Sequence, residues 1–504
     1  MTFYLSNTQD NMPVNQNIDT FLSKMSLAGM IPSWPYLYSA DYTMLITTRL
    51  ITTRLITTVL INTVLINTIL ISTILISTIN IANQHNASVT SANSFHTLAG
   101  NAMSFSEQEY TTSTRTWLSQ LISFDTVSRN SNLSLIEYIE SQLALLSDTE
   151  GQPVHVERIE NAAGDKSNLL IRIGPAVEGG VALSGHTDVV PVDGQPWHSD
   201  PFTLEEREGK LYGRGSCDMK GFIAAALSHI PEWRALDLKR PLYIALSYDE
   251  EVGCVGAPHL IEHMNASTIR PELVIIGEPT MMKPITQQKG ISDLYTAVRG
   301  VEAHSSQIPD GISAIHVAAR LVTHIENIML EMKQQADCCN AAYNVPYSTL
   351  HVGTIQGGTA VNIMAGECTF HWEIRDLPEI GFHAIYEKYE RYAKALEQEI
   401  KHTSPAASIT THLAVDSVPG LNAQESDPAV RFLKPLLEDQ HSGAVAFATE
   451  AGQFQQGGYA AVICGPGDIA QAHKADEFVS IEQLNKADVL MSKVGEQLAH
   501  SESI

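Results

Sequence analysis

Positive charge is scarce in this 504-residue chain: 31 Lys and Arg stand against 56 Asp and Glu, a formal charge of -25. A surface so acidic repels nucleic acid and anionic membranes, and neither is expected as a partner. Cysteine is sparse too. The six thiols (Cys217, Cys254, Cys338, Cys339, Cys368 and Cys464) show no C-x-x-C spacing. That excludes a disulfide framework and a thiolate metal site, and it suits a reducing compartment. The first residues lack the basic stretch, short apolar core and cleavage site of a secretory leader, so a cytoplasmic enzyme is expected. Charge of either sign is missing altogether between Arg54 and Glu107. Apolar residues are not lacking. They make up 44% of a chain too long for one ordinary core, so two or three domains are expected.

The uncharged stretch contains an internal repeat. From Leu45 to Ile79 the chain runs through seven five-residue units, LITTR at the start and LISTI at the end. Two residues in five there are Thr, Ser or Asn, each costly in lipid unless paired, which argues against a membrane span. The β-branched content favours extended backbone. An odd period, however, turns successive leucines to opposite faces of a strand, so no one-sided apolar surface forms. Residues 1–102 are therefore read as a low-complexity, aggregation-prone appendage, with Ile81 to Ala102 as an Asn/Ser/Ala-rich linker. Met103 opens the enzyme proper, and Trp117, Leu118, Leu121 and Ile122 fall at helical spacing.

Between Leu169 and Ile276, apolar runs at Val181, Leu242 and Leu273 alternate with helical stretches such as Gly221 to Trp233. This alternation predicts an α/β domain with a mostly parallel sheet, whose functional residues gather at the carboxyl ends of strands. Five polar motifs sit there. The first run enters Gly185-His186-Thr187-Asp188, where a His and an Asp two apart on extended chain point the same way. Gly213 to Gly221 places glycines around Cys217-Asp218 before a helix, where Asp218 by itself would read as a cap. Asp249-Glu250-Glu251 sets three repelling carboxylates together, a tension that either exposure or a cation relieves. Gly277-Glu278-Pro279 follows the third run, and Gln471-Ala472-His473-Lys474-Ala475-Asp476-Glu477 comes far along the chain. Singly each motif has a structural explanation. Together they supply two His and several carboxylates, the donor set for two zinc-like ions.

In order and spacing, from about Met103 to the C-terminus, these motifs resemble the two-metal hydrolases that include aminoacylase, succinyl-diaminopimelate desuccinylase, glutamate carboxypeptidase and acetylornithine deacetylase. The resemblance implies that Asp218 bridges two divalent ions, zinc or cobalt, with His186 and Glu278 on one and Glu251 and His473 on the other. It further implies that Asp188 orients His186, that Glu250 is the general base, and that a cis peptide follows Asp218. The family usually has alanine where Cys217 stands, and it has no counterpart of the repeat.

From Lys289 the pattern changes to an alternating strand (Asp293 to Val298), a helix (Gly311 to Met329), strands near Thr349 to Ile355 and Glu367 to Arg375, and a helix from His383 to Ile400. That order fits a ferredoxin-like α+β lid inserted into a two-metal aminopeptidase-like catalytic domain. The expected boundaries are 103–288 and 402–504 for the catalytic domain and 289–401 for the lid. The resemblance places Asn362 and Arg375 on the substrate carboxylate, a task suited to a forked guanidinium. It places His304, in Ala303-His304-Ser305-Ser306, in the partner's active site of a homodimer joined through the lid. The stretches from Val345 to Leu350, Ile374 to Pro378 and Thr449 to Ala451 look like the acetylornithine deacetylase branch. Hydrolysis of N2-acetyl-L-ornithine in arginine biosynthesis is thus the expected activity, with a desuccinylase or a broader aminoacylase or dipeptidase as the alternative.

Overall fold

The computed structural model describes residues 112–147 and 149–500, so the repeat over 45–79, the linker and the chain to residue 111 lie outside it. The first described helix, Thr114–Ile122, starts at Ser113, whose hydroxyl accepts from the Thr116 N–H. It buries the predicted Trp117, Leu118, Leu121 and Ile122 against the helix Lys220–Ser228. That second helix is buried along its whole length, and its small Ala224, Ala225 and Ala226 let it lie close to the sheet. Gly277 meets it there: a Cβ on Gly277 would stand 2.1 Å from the Phe222 ring. The expected helix from Gly221 to Trp233 is two helices. Pro231 lacks the N–H that an uninterrupted helix needs, and a second short helix, Ile230–Ala235, begins around it.

The larger sheet has nine strands. Its centre is four mutually parallel strands in the order Leu242–Ser247, Val181–His186, Leu273–Pro279 and Ala460–Gly465. The first three are buried throughout, as apolar strands covered on both faces must be. Antiparallel pairs flank this centre, so the sheet is mixed and mostly parallel only at its heart. The chain leaves Val181–His186 for one neighbour, Leu242–Ser247, and then crosses to the other, Leu273–Pro279. Such a switch point opens a crevice at the carboxyl end of the middle strand, where His186 stands.

A four-stranded antiparallel sheet forms around a second apolar core. Its order is Thr349–Gly357, Glu367–Arg375, Ser292–Arg299, Ser408–Leu413, and the helices Ala314–Gln334 and Phe382–Thr403 cover it. Ser292–Arg299 alternates between buried and half-buried positions, the period its sequence shows. The helix Ala314–Gln334 buries Val317, Leu321, Ile325, Ile328 and Met332 at three- and four-residue spacing. The order β-α-β-β-α-β is that of a ferredoxin-like lid on an α/β domain. One expectation is corrected: this sheet includes Ser408–Leu413, beyond the return expected after about Lys401, because Ser292–Arg299 offers that strand an otherwise open edge. Among the described residues no helix is long and apolar enough to cross a membrane.

Candidate metal centre

The sheet places His186 and Glu278 at its switch point, and Asp218 meets them there from a loop. His186 ends its strand with 1% of its surface exposed, and its Nε2 lies 3.0 Å from Asp218 Oδ1 and 3.7 Å from Glu278 Oε1. Glu278 comes from the buried end of Leu273–Pro279. Asp218 does not sit at a strand end as expected, and neither does His473. Both are on loops, Asp218 before the helix Lys220–Ser228 and His473 in a turn with its backbone at φ 63°. The peptide after Asp218 is cis. Met219, rather than Asp218, is the cap of the following helix.

Asp218 faces two ways. Its Oδ2 lies 3.4 Å from His473 Nε2, which is 2.9 Å from Glu251 Oε2. Donor atoms of His186, Asp218 and Glu278 lie within 4.8 Å of one another, and so do those of Asp218, Glu251 and His473. Burial pushes the Glu278 carboxyl well above the usual range, with Asp218 adding to the effect. Burial and the Asp218 charge likewise push Glu251 up to about 7. Burial also opposes ionisation of Asp218, but hydrogen bonds from His186 and His473 outweigh it and hold its carboxyl below the usual range. Those to Asp218 and Glu251 raise His473 to about 10. Carboxyls driven to keep protons and imidazoles driven to hold them are what a crowded anionic donor set produces. A divalent cation resolves the conflict by replacing those protons, so the residues present fit one.

The Asp249-Glu250-Glu251 triplet separates in space. Lys166 pairs with Asp249, Glu251 faces His473, and Glu250 remains partly exposed at the same centre. Desolvation raises the Glu250 carboxyl well above its ordinary value, with the charges of Glu251, Asp218 and Glu450 adding to it. Asp188 is buried among these groups. The nearest partner of His186 Nδ1 is the Asp188 carbonyl, at 2.9 Å, while the carboxylate stands 3.6 Å away. That carboxylate instead accepts from the N–H groups of Glu250 and Glu251, at 3.0 and 3.3 Å, and from the Ser128 hydroxyl at 2.7 Å.

The three lid residues are not gathered into one place. His304 is exposed and bridges antiparallel to Ile363, so it lies beside Asn362, whose carbonyl accepts from the Ser305 N–H at 3.0 Å. Arg375 ends the strand Glu367–Arg375 and forks onto Glu373 at 3.1 and 3.2 Å. Asn362 lies before Glu367, and the nine-residue strand from there to Arg375 is about 26 Å long.

Residues 182–497 match the model of the peptidase family M20/M25/M40. The acetylornithine deacetylase of Pasteurella multocida is 36% identical over 365 residues, covering 72% of this chain and 91% of that protein. That of Myxococcus xanthus is 35% identical over 384 residues, covering 75% and 96%. This chain belongs to the M20/M25/M40 family. Solved structures agree on the fold: aminopeptidase PepT from Bacillus cereus superposes with a TM-score of 0.59 at 18% identity, covering 77% of this chain and 98% of that one. The metallo-carboxypeptidase Sso-CP2 from Sulfolobus solfataricus gives 0.54 at 16%, covering 77% and 97%.

The chain is accordingly a metal-dependent hydrolase acting on an amide. Sequence reasoning missed two neighbours of the centre. Ser128 holds Asp188, and no motif marks it. Glu450 is 1% exposed, with Oε2 3.4 Å from Ser184 Oγ and Oε1 without a partner. In the sequence its stretch, Thr449 to Ala451, served only as a mark of the family branch, with no role given to the acid. Cys217 is a space-filling neighbour: burial raises its thiol well above the ordinary value, and Sγ lies 3.4 Å from the Asp468 carbonyl.

Proposed function

We propose that this hydrolase cleaves the N-acyl amide of a small amino acid, converting N2-acetyl-L-ornithine and water to L-ornithine and acetate in arginine biosynthesis. One observation carries the reading: two donor groups of three residues meet at Asp218, with Glu250 beside them. The relatives named acetylornithine deacetylase support the choice of substrate. In this reading His186, Asp218 and Glu278 hold one ion and Asp218, Glu251 and His473 a second, zinc or cobalt. Bound there, the ions would supply Lewis acidity toward the scissile carbonyl and make the attacking water more acidic. Glu250 takes the proton of that water as it attacks, a transfer suited to a carboxyl raised above its ordinary value, and passes it to the leaving amine. Asp188 keeps the Glu250-Glu251 turn and the His186 ring in register.

Arg375 receives the substrate carboxylate by releasing Glu373, and Asn362 assists it. Because a strand about 26 Å long lies between the two in the chain, the Asn362 and His304 that serve one centre belong to a second copy. Val361 and Ile363, on either side of Asn362, are 101% and 42% exposed, with Ile363 bridged to His304, and Ile355 on the open edge strand of the lid sheet is 51% exposed. A homodimer through this edge covers them and brings His304 to the developing oxyanion. The cytoplasm, where six unpaired cysteines persist, is the proposed location.

The test is acetate release from N2-acetyl-L-ornithine with metal content measured on the same sample, beside N-succinyl and dipeptide substrates. About two ions per chain and preference for the acetylated substrate are expected, as is loss of turnover on chelation. Full activity in metal-free protein would refute the reading. Preference for a succinylated substrate would move the chain to the desuccinylases.

A further inference from the structure

His186 and Glu278 are ligands borne on strands, and the sheet's own hydrogen bonds hold them. Asp218 and His473 are on loops that lack such a ladder. Both loops converge on a buried ion pair. Arg214 Nη1 lies 2.7 Å from Glu477 Oε2, and each side chain is 1% exposed. The Glu477 carboxylate accepts three backbone N–H groups of the Asp218 loop: Gly215 at 3.1 Å on Oε2, and Cys217 at 2.9 Å and Asp218 at 3.0 Å on Oε1. Successive N–H groups aimed at one anion form a nest, and here the anion is a side chain of the protein itself. Gly215, at φ 82°, supplies the left-handed turn the nest requires.

The same pair reaches the other loop. Arg214 Nη1 donates to the Lys474 carbonyl at 3.2 Å. Its Nη2 donates to Gln195 Oε1 at 2.6 Å, and Gln195 Nε2 donates to the His473 carbonyl at 3.0 Å. His473 occupies the left-handed region, uncommon outside glycine, and these contacts fix its carbonyl and that of Lys474. We infer that Glu477, with Arg214, is a positioning residue for the metal centre, locking the two loops so that Asp218 and His473 face one ion. The inference rests on the metal-centre reading above. Glu477 belongs to neither three-residue donor group and is 1% exposed. Its effect is on the geometry waiting for the ion, and so on affinity.

The test is zinc affinity by competition with a chromogenic chelator, on protein whose folding is checked by circular dichroism. Glu477→Gln keeps the shape but loses the charge and one acceptor oxygen, while Arg214→Met/Glu477→Gln removes both charges and leaves no unpaired one. Affinity for at least one zinc should fall about 10- to 100-fold in both, and turnover should recover toward wild type at saturating zinc. Wild-type affinity in either folded variant overturns the inference. So does failure of both variants to fold, which would make the pair a fold element only. Absence of zinc binding in the wild type would instead sink the metal-centre reading itself.

Discussion

Glu250 and Glu251 are neighbours in sequence but face different partners, and substitution should separate them. Glu251 Oε2 is 2.9 Å from His473 Nε2, whereas Glu250 belongs to neither three-residue donor group. Glu250→Gln should keep near-normal metal content while kcat falls on the order of a hundred-fold or more, the scale of a lost general base. Glu251→Gln should lose metal, read by elemental analysis after dialysis. If both variants keep metal and rate, the two roles are misassigned. Glu450 offers a pH-dependent test. Burial raises it from 4.5 to about 6, so the fold favours its protonated form. Its contribution to stability is therefore present below about pH 4.5 and is lost as pH rises through about 6. In chelated protein, Glu450→Gln should gain stability over wild type between pH 5 and 7.5, by up to about 2 kcal/mol. A difference in unfolding free energy that stays flat with pH would show that Glu450 does not titrate there.

At the scale of elements, the parallel strands explain why the centre lies where it does. Their buried runs fix the register, and a crevice at the switch point follows from the strand order. The open strand Thr349–Gly357 is different, because its last five residues are exposed at the edge of the lid sheet. Such an edge invites pairing with another chain. Placing charge on the exposed apolar residues around Asn362, as in Val361→Asp/Ile363→Asp, should convert a dimer to a monomer in sedimentation measurements and reduce turnover in parallel. A variant that remains dimeric at full rate would place the interface elsewhere.

For the whole molecule, dependence on a second copy predicts complementation. His304→Ala and Glu250→Gln should each be nearly inactive alone. A mixed dimer unites an intact Glu250 with the partner's intact histidine in one of its two centres, so activity should return toward half of wild type. If exchange of subunits is demonstrated and no activity returns, His304 does not act across an interface. The donor groups and both cores lie within residues 112–500, so a chain beginning at Met103 should fold, bind metal and turn over like the full chain. Failure of the shorter chain to fold would assign the first hundred residues to the core.

Some of this was legible in residue order alone. Periodicity marked the helix with Trp117 and Leu121 and the alternating strand from Asp293, because burial of one face repeats with the backbone's own period. The motif residues His186, Asp218, Glu251, Glu278 and His473 stood out only as a set, because two imidazoles and several carboxylates together are the donors that two zinc-like ions require. Other features needed the fold. Extending the lid to Leu413 depends on the edge that Ser292–Arg299 leaves open, whereas the break at Pro231 is local, set by the N–H that proline lacks. Only tertiary structure brings Glu477 onto the Asp218 loop, 259 residues away in sequence, and sets Arg375 at the far end of a strand that begins after Asn362. The donor types are local choices of the sequence. Their distances from one another are set by the packing of elements far apart in the chain.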